Sequence, residues 1–369
     1  MIKAALRSTG RRFIHFVDMF AYPLRLSHYL ELINPLWTRH SLQARVVKVW
    51  DETKDSRTLT LRPGRGWRTH RPGQHIRVGV PIGGMRHTRT YSISSAPGTL
   101  DGCINITVKA ITDGRVSGHL VRYLKPGTYL PIGEPQGEFV LPFAIPVHPL
   151  FITAGSGITP IMSMLRNYIK EYRALPDIRH IHYAPHSYDV IFGKELQRLV
   201  ESQKHYKLHR IYTRELGETV SQKLHFSPAQ LEQHCPDWRQ RDVWACGPAA
   251  LLDAVEEHWA QAGLSDRLNV ERFRAKLADT PADAKGGTIK FATSGLEYLS
   301  DGETNILRLA EDAGLNPGHG CRMGICHSCD CALVAGSVRD LRTGAITSEA
   351  GQTVQVCVSV AVGDVEVEL

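Results

Sequence analysis

The sequence contains no run of about 18 apolar residues, so no membrane-crossing helix is expected. Its opening stretch, MIKAALRSTGRRF, lacks a compact apolar core followed by a small-residue cleavage site. That argues against secretion and for a cytoplasmic protein. Cysteine is scarce: eight residues in 369, five of them between Cys321 and Cys357. A secreted disulfide scaffold would spread its cysteines evenly, so this clustering points to a metal or redox role in a reducing compartment. No stripe of basic residues interleaved with aromatics occurs, which removes nucleic acid as a partner. Internal repeats and low-complexity tracts are missing too.

With 42% apolar and 22% charged residues, the chain has the composition of a globular protein, and its length calls for two to three domains. The net charge of +7 hides an asymmetry. Residues 286–369 carry 11 acidic and 5 basic side chains, against 26 and 39 in the rest. An acidic module is joined to a basic one, an arrangement suited to electrostatic docking.

Residues 1–40 read as a basic amphipathic extension. Lys3, Arg7, Arg11 and Arg12 precede Phe13, Ile14, Phe16, Val17, Phe20 and Ala21 at helical spacing. Such a helix can pack on the protein body, or lie in a membrane interface and attract anionic lipid through residues 1–35. Over residues 41–143, short alternating runs such as QARVVKVWDET, RTLTLRP and INITVKAIT are separated by RPGRG, APGTLDG and KPGTYL. They predict an antiparallel β-barrel. Over 144–275 the rhythm becomes βα, as in PLFITAG followed by TPIMSMLRNYIKEYR, and predicts a doubly wound parallel sheet. A linker, 276–286, leads to a last domain over 287–369.

In that domain Cys321, Cys326 and Cys329 read C-x4-C-x2-C, and Cys357 follows in the apparent strand VQVCVSVAV. This is the plant-type [2Fe-2S] spacing, in which a loop supplies three thiolates and a distant segment the fourth. A zinc ribbon would need a second C-x2-C, and a thioredoxin-type pair would not bring two further thiols. Cys331 falls outside the spacing and reads as a small buried side chain; Cys103 and Cys235 carry no motif. The run NILRLAEDAGLNPGHGCRMGICHSCDCALVAG resembles a plant-type ferredoxin domain, which implies a β-grasp fold.

Upstream, RTYSISS sets Arg89 and Tyr91 on one face of a strand, followed by Ser92. In DGRVSGHL, Gly114 and Ser117 precede a helix whose N-terminus suits a pyrophosphate. ITAGSGITP runs from a strand through Gly155 and Gly157 into a helix, and WACGP sets Cys246 and Gly247 at the carboxyl edge of the sheet. In this order the four motifs resemble the ferredoxin–NADP reductase superfamily. The resemblance implies that Arg89, Tyr91 and Ser92 bind the flavin, with Tyr91 against its ring, and that Gly114 and Ser117 hold the pyrophosphate of FAD. It assigns Thr153, Gly155, Gly157 and Gly247 to the nicotinamide dinucleotide and Cys246 to the neighbourhood of its reacting ring. FMN-using relatives share the Arg-x-Tyr-Ser strand, so FAD over FMN rests on GRVS. Arg214, after a third strand in YTRE, is either where the superfamily often holds a 2′-phosphate, which bears on NADPH over NADH, or an ordinary surface arginine.

Together the modules imply hydride entering from NAD(P)H at a flavin and electrons leaving singly through the cluster. The order of modules resembles reductase components of acyl-lipid desaturases and of Rieske or di-iron oxygenases, so the expected partner is such an acceptor. The competing reading is a non-enzymatic iron–sulfur carrier or redox sensor. Most of the 18 histidines read as surface or helix-end residues.

Overall fold

The computed structural model describes residues 33–38, 41–111, 114–214, 225–273, 286–320, 322, 324 and 327–369. The helix expected at 13–21, most of the linker (276–285), Cys321 and Cys326 lie outside them. By internal contacts the chain divides into two compact units. One holds a barrel and a parallel sheet; the other holds the C-terminal β domain together with residues 87–89 and 247–255.

Alternating burial along β1 (Gln43–Thr53), β2 (Ser56–Pro63), β3 (His75–Ile82), β4 (Met85–Ser92) and β5 (Ile104–Lys109) builds the barrel. Helix α1 (Arg115–Arg122) follows, then β6 (Tyr129–Pro131). One sheet runs β5-β2-β1-β6, and β3 pairs with β4. Bridges Val78↔Ile132 and Ile93↔Ile106 join the two. Val46, Leu59, Leu61, Ile76, Val78, Val80 and Ile106 fill the interior without measurable exposure. Gly83 and Gly84, both at positive φ, supply the two-residue turn that fixes the β3–β4 register. At Gly73, φ is +101°, and a Cβ would fall 2.1 Å from the Phe139 carbonyl oxygen, so no other residue fits where the barrel closes.

The parallel sheet is built from β7 (Pro149–Ala154), β8 (Ile178–Ala184), β9 (Tyr206–Tyr212), β10 (Asp242–Cys246) and β11 (Leu268–Glu271). Between them come helices α2 (Ile158–Tyr172), α3 (Gly193–Ser202), α4 (Pro228–His234) and α5 (Ala249–Gln261). The order is β11-β10-β7-β8-β9, and the pairs β10–β7, β7–β8 and β8–β9 are parallel. Strand order reverses at β7, so the crevice where such sheets bind ligands opens at the carboxyl ends of β7 and β10.

The C-terminal domain combines β12 (Gly287–Phe291), β13 (Leu296–Ser300), helix α6 (Ile306–Asp312), β14 (Asp330–Asp340), β15 (Ile346–Thr347), β16 (Thr353–Gln355) and β17 (Ser359–Val367). Its sheet runs β13-β12-β17-β14-β15, with β16 on β14. β12 and β17 are parallel, and the other pairs are antiparallel. This is the mixed sheet with one packed helix of a β-grasp domain. The three-part architecture expected from the sequence is the one found.

Candidate functional site

Arg89 and Tyr91 stand two residues apart on β4, both half-buried, with Ser92 buried beside them. Arg89 Nη1 donates to the Thr88 carbonyl at 2.8 Å, and Tyr91 packs on the barrel core. After β5 the chain turns into α1, whose N-cap, Gly114, offers no side-chain cap, so the first-turn N–H groups are left for an anion. A Cβ at Gly114 would lie 2.4 Å from both Ile111 Cγ1 and Ser117 Oγ. Ser117 does not precede the helix, as the sequence led us to expect, but is its third residue. Its hydroxyl donates to the Gly114 carbonyl and accepts from the Ile111 N–H, both at 3.3 Å, and so shapes the turn. Along this helix runs a cavity of about 740 Å³ lined by Ile82, Ile111, Gly114, Arg115, Gly118 and His119 among others. Gly118 has nothing within 4 Å of a Cβ position. An uncapped helix end, a cationic side chain and room for a nucleotide fit the ADP half of FAD.

β7 ends in the tight turn Gly155–Gly157, which enters α2 with no side-chain cap. Gly155 sits at φ +52° with open space around its Cβ position, so backbone can meet a ligand there. Cross-strand register sets Cys246, Thr153, His182 and Arg210 in one row over β10, β7, β8 and β9. Cys246 is fully buried at the end of β10, and Gly247 follows it. Arg214 is exposed just beyond β9, its N–H held by the Pro185 carbonyl at 2.9 Å.

Thr153 is also fully buried, and its hydroxyl is engaged on both sides. His180 Nε2 and His182 Nδ1 each lie 2.8 Å from Oγ1, and His180 Nδ1 lies 2.7 Å from the Tyr206 hydroxyl. His182 Nε2, also buried, has no hydrogen-bond partner among the described residues. Burial pushes His182 down to about 3 and His180 well below its ordinary value. Any contact of Thr153 with a dinucleotide therefore comes through its backbone. Sequence reasoning missed this network and the burial of His70 and His87, because a histidine in a β-run looks the same whether it faces water or a hydroxyl.

A second feature without sequence signal ties α2 to the segment that follows the flavin strand. Arg166 Nη1 donates to Ser94 O at 2.6 Å, Ser163 Oγ to Ser95 O at 2.7 Å and Lys170 Nζ to Pro97 O at 2.8 Å. Glu195 fixes the Arg166 guanidinium through two of its nitrogens.

In the C-terminal domain Cys329 ends the loop before β14, and the Val356 N–H reaches its carbonyl at 3.3 Å. That bond sets Cys357 beside it. Cys357 lies in the turn between β16 and β17, not in a strand as expected, because the chain leaves β16 there to re-pair with β14 as β17. Both thiols are buried. A hydrogen bond from Cys357 holds the Cys329 thiol down to about 7, so thiolate forms readily, as a metal ligand requires. Arg322, Gly324 and His327 all take positive φ, which curls the loop tightly. Arg322 pairs with Glu311 through two nitrogens and donates to His319 Nε2 at 2.9 Å, which pins the loop to α6. His327 is exposed and bonds Asp330 at 3.0 Å. Among the described residues no third Cys, His, Asp or Glu joins the two thiols. Two buried thiols side by side, the Cys329 thiol acidified, fit one edge of a [2Fe-2S] cluster. Cys331 is half-buried, not buried, and burial raises its thiol to about 12; Cys235 is likewise raised to about 12, and burial also pushes Cys103 up.

Three family models match the chain: an oxidoreductase FAD-binding domain over residues 43–141, an oxidoreductase NAD-binding domain over 151–257 and a 2Fe-2S iron-sulfur cluster binding domain over 290–362. An NADPH oxidoreductase of Mycobacterium tuberculosis is 44% identical over 93% of this chain and 88% of its own length. A glycine betaine monooxygenase reductase subunit of Chromohalobacter salexigens is 30% identical over 85% and 90%. Among solved structures, phthalate dioxygenase reductase shares the fold, with a TM-score of 0.63 and 24% identity over 89% of this chain and 98% of that one.

Proposed function

Because this chain belongs to the family of FAD- and NAD-binding oxidoreductases that carry a 2Fe-2S domain, we propose that it is the reductase component of a terminal oxygenase system. It draws electrons from NADPH. The observation that carries this reading is the presence of all three modules in one chain, each with its own binding feature. When bound, flavin would accept one hydride and release its two electrons singly, and the cluster would carry one at a time. The protein supplies the positioning. Arg89 and Tyr91 present a cation and a ring from one strand face, and Gly114 and Ser117 shape an uncapped helix end for pyrophosphate. Gly155 and Gly157 admit a dinucleotide at the switch point, where Cys246 and Gly247 border the reacting ring. Thiolates 321, 326, 329 and 357 would hold the irons. Ser94–Pro97, bound by α2, ties the flavin strand to the nucleotide helix.

NADPH over NADH is supported by the relative that is an NADPH oxidoreductase and by Arg214, whose exposed guanidinium follows β9. A charge-assisted hydrogen bond to phosphate contributes about 1.5–3 kcal/mol, so Arg214→Glu should raise KM for NADPH by roughly 10- to 100-fold. KM for NADH should be unchanged; equal effects on both would remove Arg214 from this role.

The relatives named as monooxygenase reductase subunits support an oxygenase as acceptor. Within that class we place it at a membrane, as an acyl-lipid desaturase would be. The basic and apolar series of residues 3–21 supports this. Deleting residues 1–35 should abolish binding to anionic liposomes and leave dye reduction intact. Liposome binding unchanged by the deletion would contradict this placement.

A further inference from the structure

We propose that Arg342 sets the working potential of the cluster, by clamping the ligand loop at Gly324 and holding a positive charge against Cys329 and Cys357. The proposal rests on reading those cysteines as cluster ligands. The domain from 286 onward has only five basic residues, and three are committed away from the thiols. Lys290 pairs with Glu366, Arg308 with Asp312, and Arg339 is buried against the Gly302 carbonyl. Arg322 braces the loop's start on Glu311. Arg342 comes to the loop from the opposite direction, out of the turn after β14.

Its hold is specific. Nη2 and Nε reach the two Asp340 carboxylate oxygens at 2.6 and 3.1 Å, and its own N–H bonds Asp340 Oδ1 at 2.7 Å. Nη1, the remaining corner, donates to the Gly324 carbonyl. The fit is close enough to dictate the residue opposite. At φ +69°, a Cβ on Gly324 would sit 2.7 Å from Nη1, 2.8 Å from Cζ and 2.8 Å from Val358 Cγ2. Val358 follows Cys357 in the chain, so the guanidinium and the residue next to the fourth ligand crowd the same loop glycine.

Reducing a cluster held by these thiolates by one electron would add one negative charge beside them. A fixed cation beside them favours the reduced state, and its removal favours the oxidised one. Asp340 tempers the cation without cancelling it, because Nη1 is the atom turned to the loop. The sign of each substitution follows. Arg342→Gln removes the cation and leaves Asp340 unpaired, so both changes disfavour reduction. Asp340→Asn removes the counter-charge and favours it.

The test is an anaerobic redox titration of the full holoprotein, read by EPR of the reduced cluster, with the flavin midpoint as internal reference. Arg342→Gln should shift the cluster's oxidised-to-reduced ratio about tenfold, a fall of ~59 mV for one electron, with the flavin unmoved. Arg342→Lys should recover most of that shift, and Asp340→Asn should move the midpoint upward. A cluster midpoint unchanged in Arg342→Gln overturns the proposal. If that variant holds no cluster, an unchanged or lowered midpoint in Asp340→Asn overturns it instead. Wild-type protein with no iron–sulfur signal would refute the reading of the ligands, a different failure.

Discussion

Replacing Cys357 with alanine should empty the C-terminal domain of iron while NADPH still reduces the flavin. Cys357 lies in the turn between β16 and β17, far in sequence from the loop that carries the other three cysteines, and it hydrogen-bonds Cys329 in the buried interior. Without its thiolate the loop retains three candidate ligands and no closing one. Loss of partners that merely orient a ligand costs 10–100-fold in metal affinity or activity, so loss of the ligand itself should cost more than about 100-fold in electron delivery to a one-electron protein acceptor. A dye that takes electrons directly from flavin should be reduced at the wild-type rate. Iron and acid-labile sulfide analysis, run beside the two assays, separates loss of the cluster from loss of the fold. Iron retained together with full delivery would mean that the cluster is held elsewhere.

The second large effect is an acid instability that sets in well above the range where carboxylates titrate. His182 is held at about 3 and His70 at about 4, in both cases mainly by burial, and His180 is displaced in the same direction. These imidazoles are neutral in the fold, whereas the unfolded chain takes up protons at each below about 6.5. Between the folded and unfolded values the unfolded state binds more protons, so stability falls as pH falls. At pH 4.5, two units below the unfolded value, His182 and His70 should each have removed about 2.7 kcal/mol at 1.36 kcal/mol per unit. Together that is on the order of 5 kcal/mol, comparable with the whole stability of many domains. The ion-paired carboxylates Asp177 and Asp237, depressed in the fold, act only below about pH 4 and so fall outside this window. Fluorescence of the buried Trp238, Trp244 and Trp259 reports unfolding of the same unit. The midpoint in urea should fall steadily from pH 6.5 to 4.5, and His182→Asn should flatten the slope by about one proton. A midpoint constant over that range would show that the imidazoles are protonated in the fold.

How legible the molecule was depended on what kind of signal each part leaves. Period-2 alternation in QARVVKVWDET and the βα rhythm after Pro149 are long and repeated, and both survive into the structure as a barrel and a parallel sheet. The row of Cys246 and Thr153 was legible only as two separate motifs, because register between β7 and β10 is set by packing over a long separation. VQVCVSVAV reads as one strand because every residue in it suits a strand; only the exchange of pairing between β16 and β17 breaks it at Cys357. GRVS misplaced the helix start by a turn because glycine is a weak cap and leaves no side-chain signature. His180, His182 and Arg342 left nothing to read. Their meaning lies in partners 27, 29 and 18 residues away in sequence, brought close by folding.

The central claim is that electrons arrive in pairs at the flavin and leave one at a time through the thiolate-held iron. Anaerobic rapid mixing of the full holoprotein with one equivalent of NADPH, followed by flavin absorbance and freeze-quenched EPR, addresses it directly. Flavin absorbance should bleach first, then partly recover as the reduced-cluster signal grows to about one electron per chain. A cluster signal that rises without prior bleaching, or bleached flavin that never yields a cluster signal, would contradict the claim.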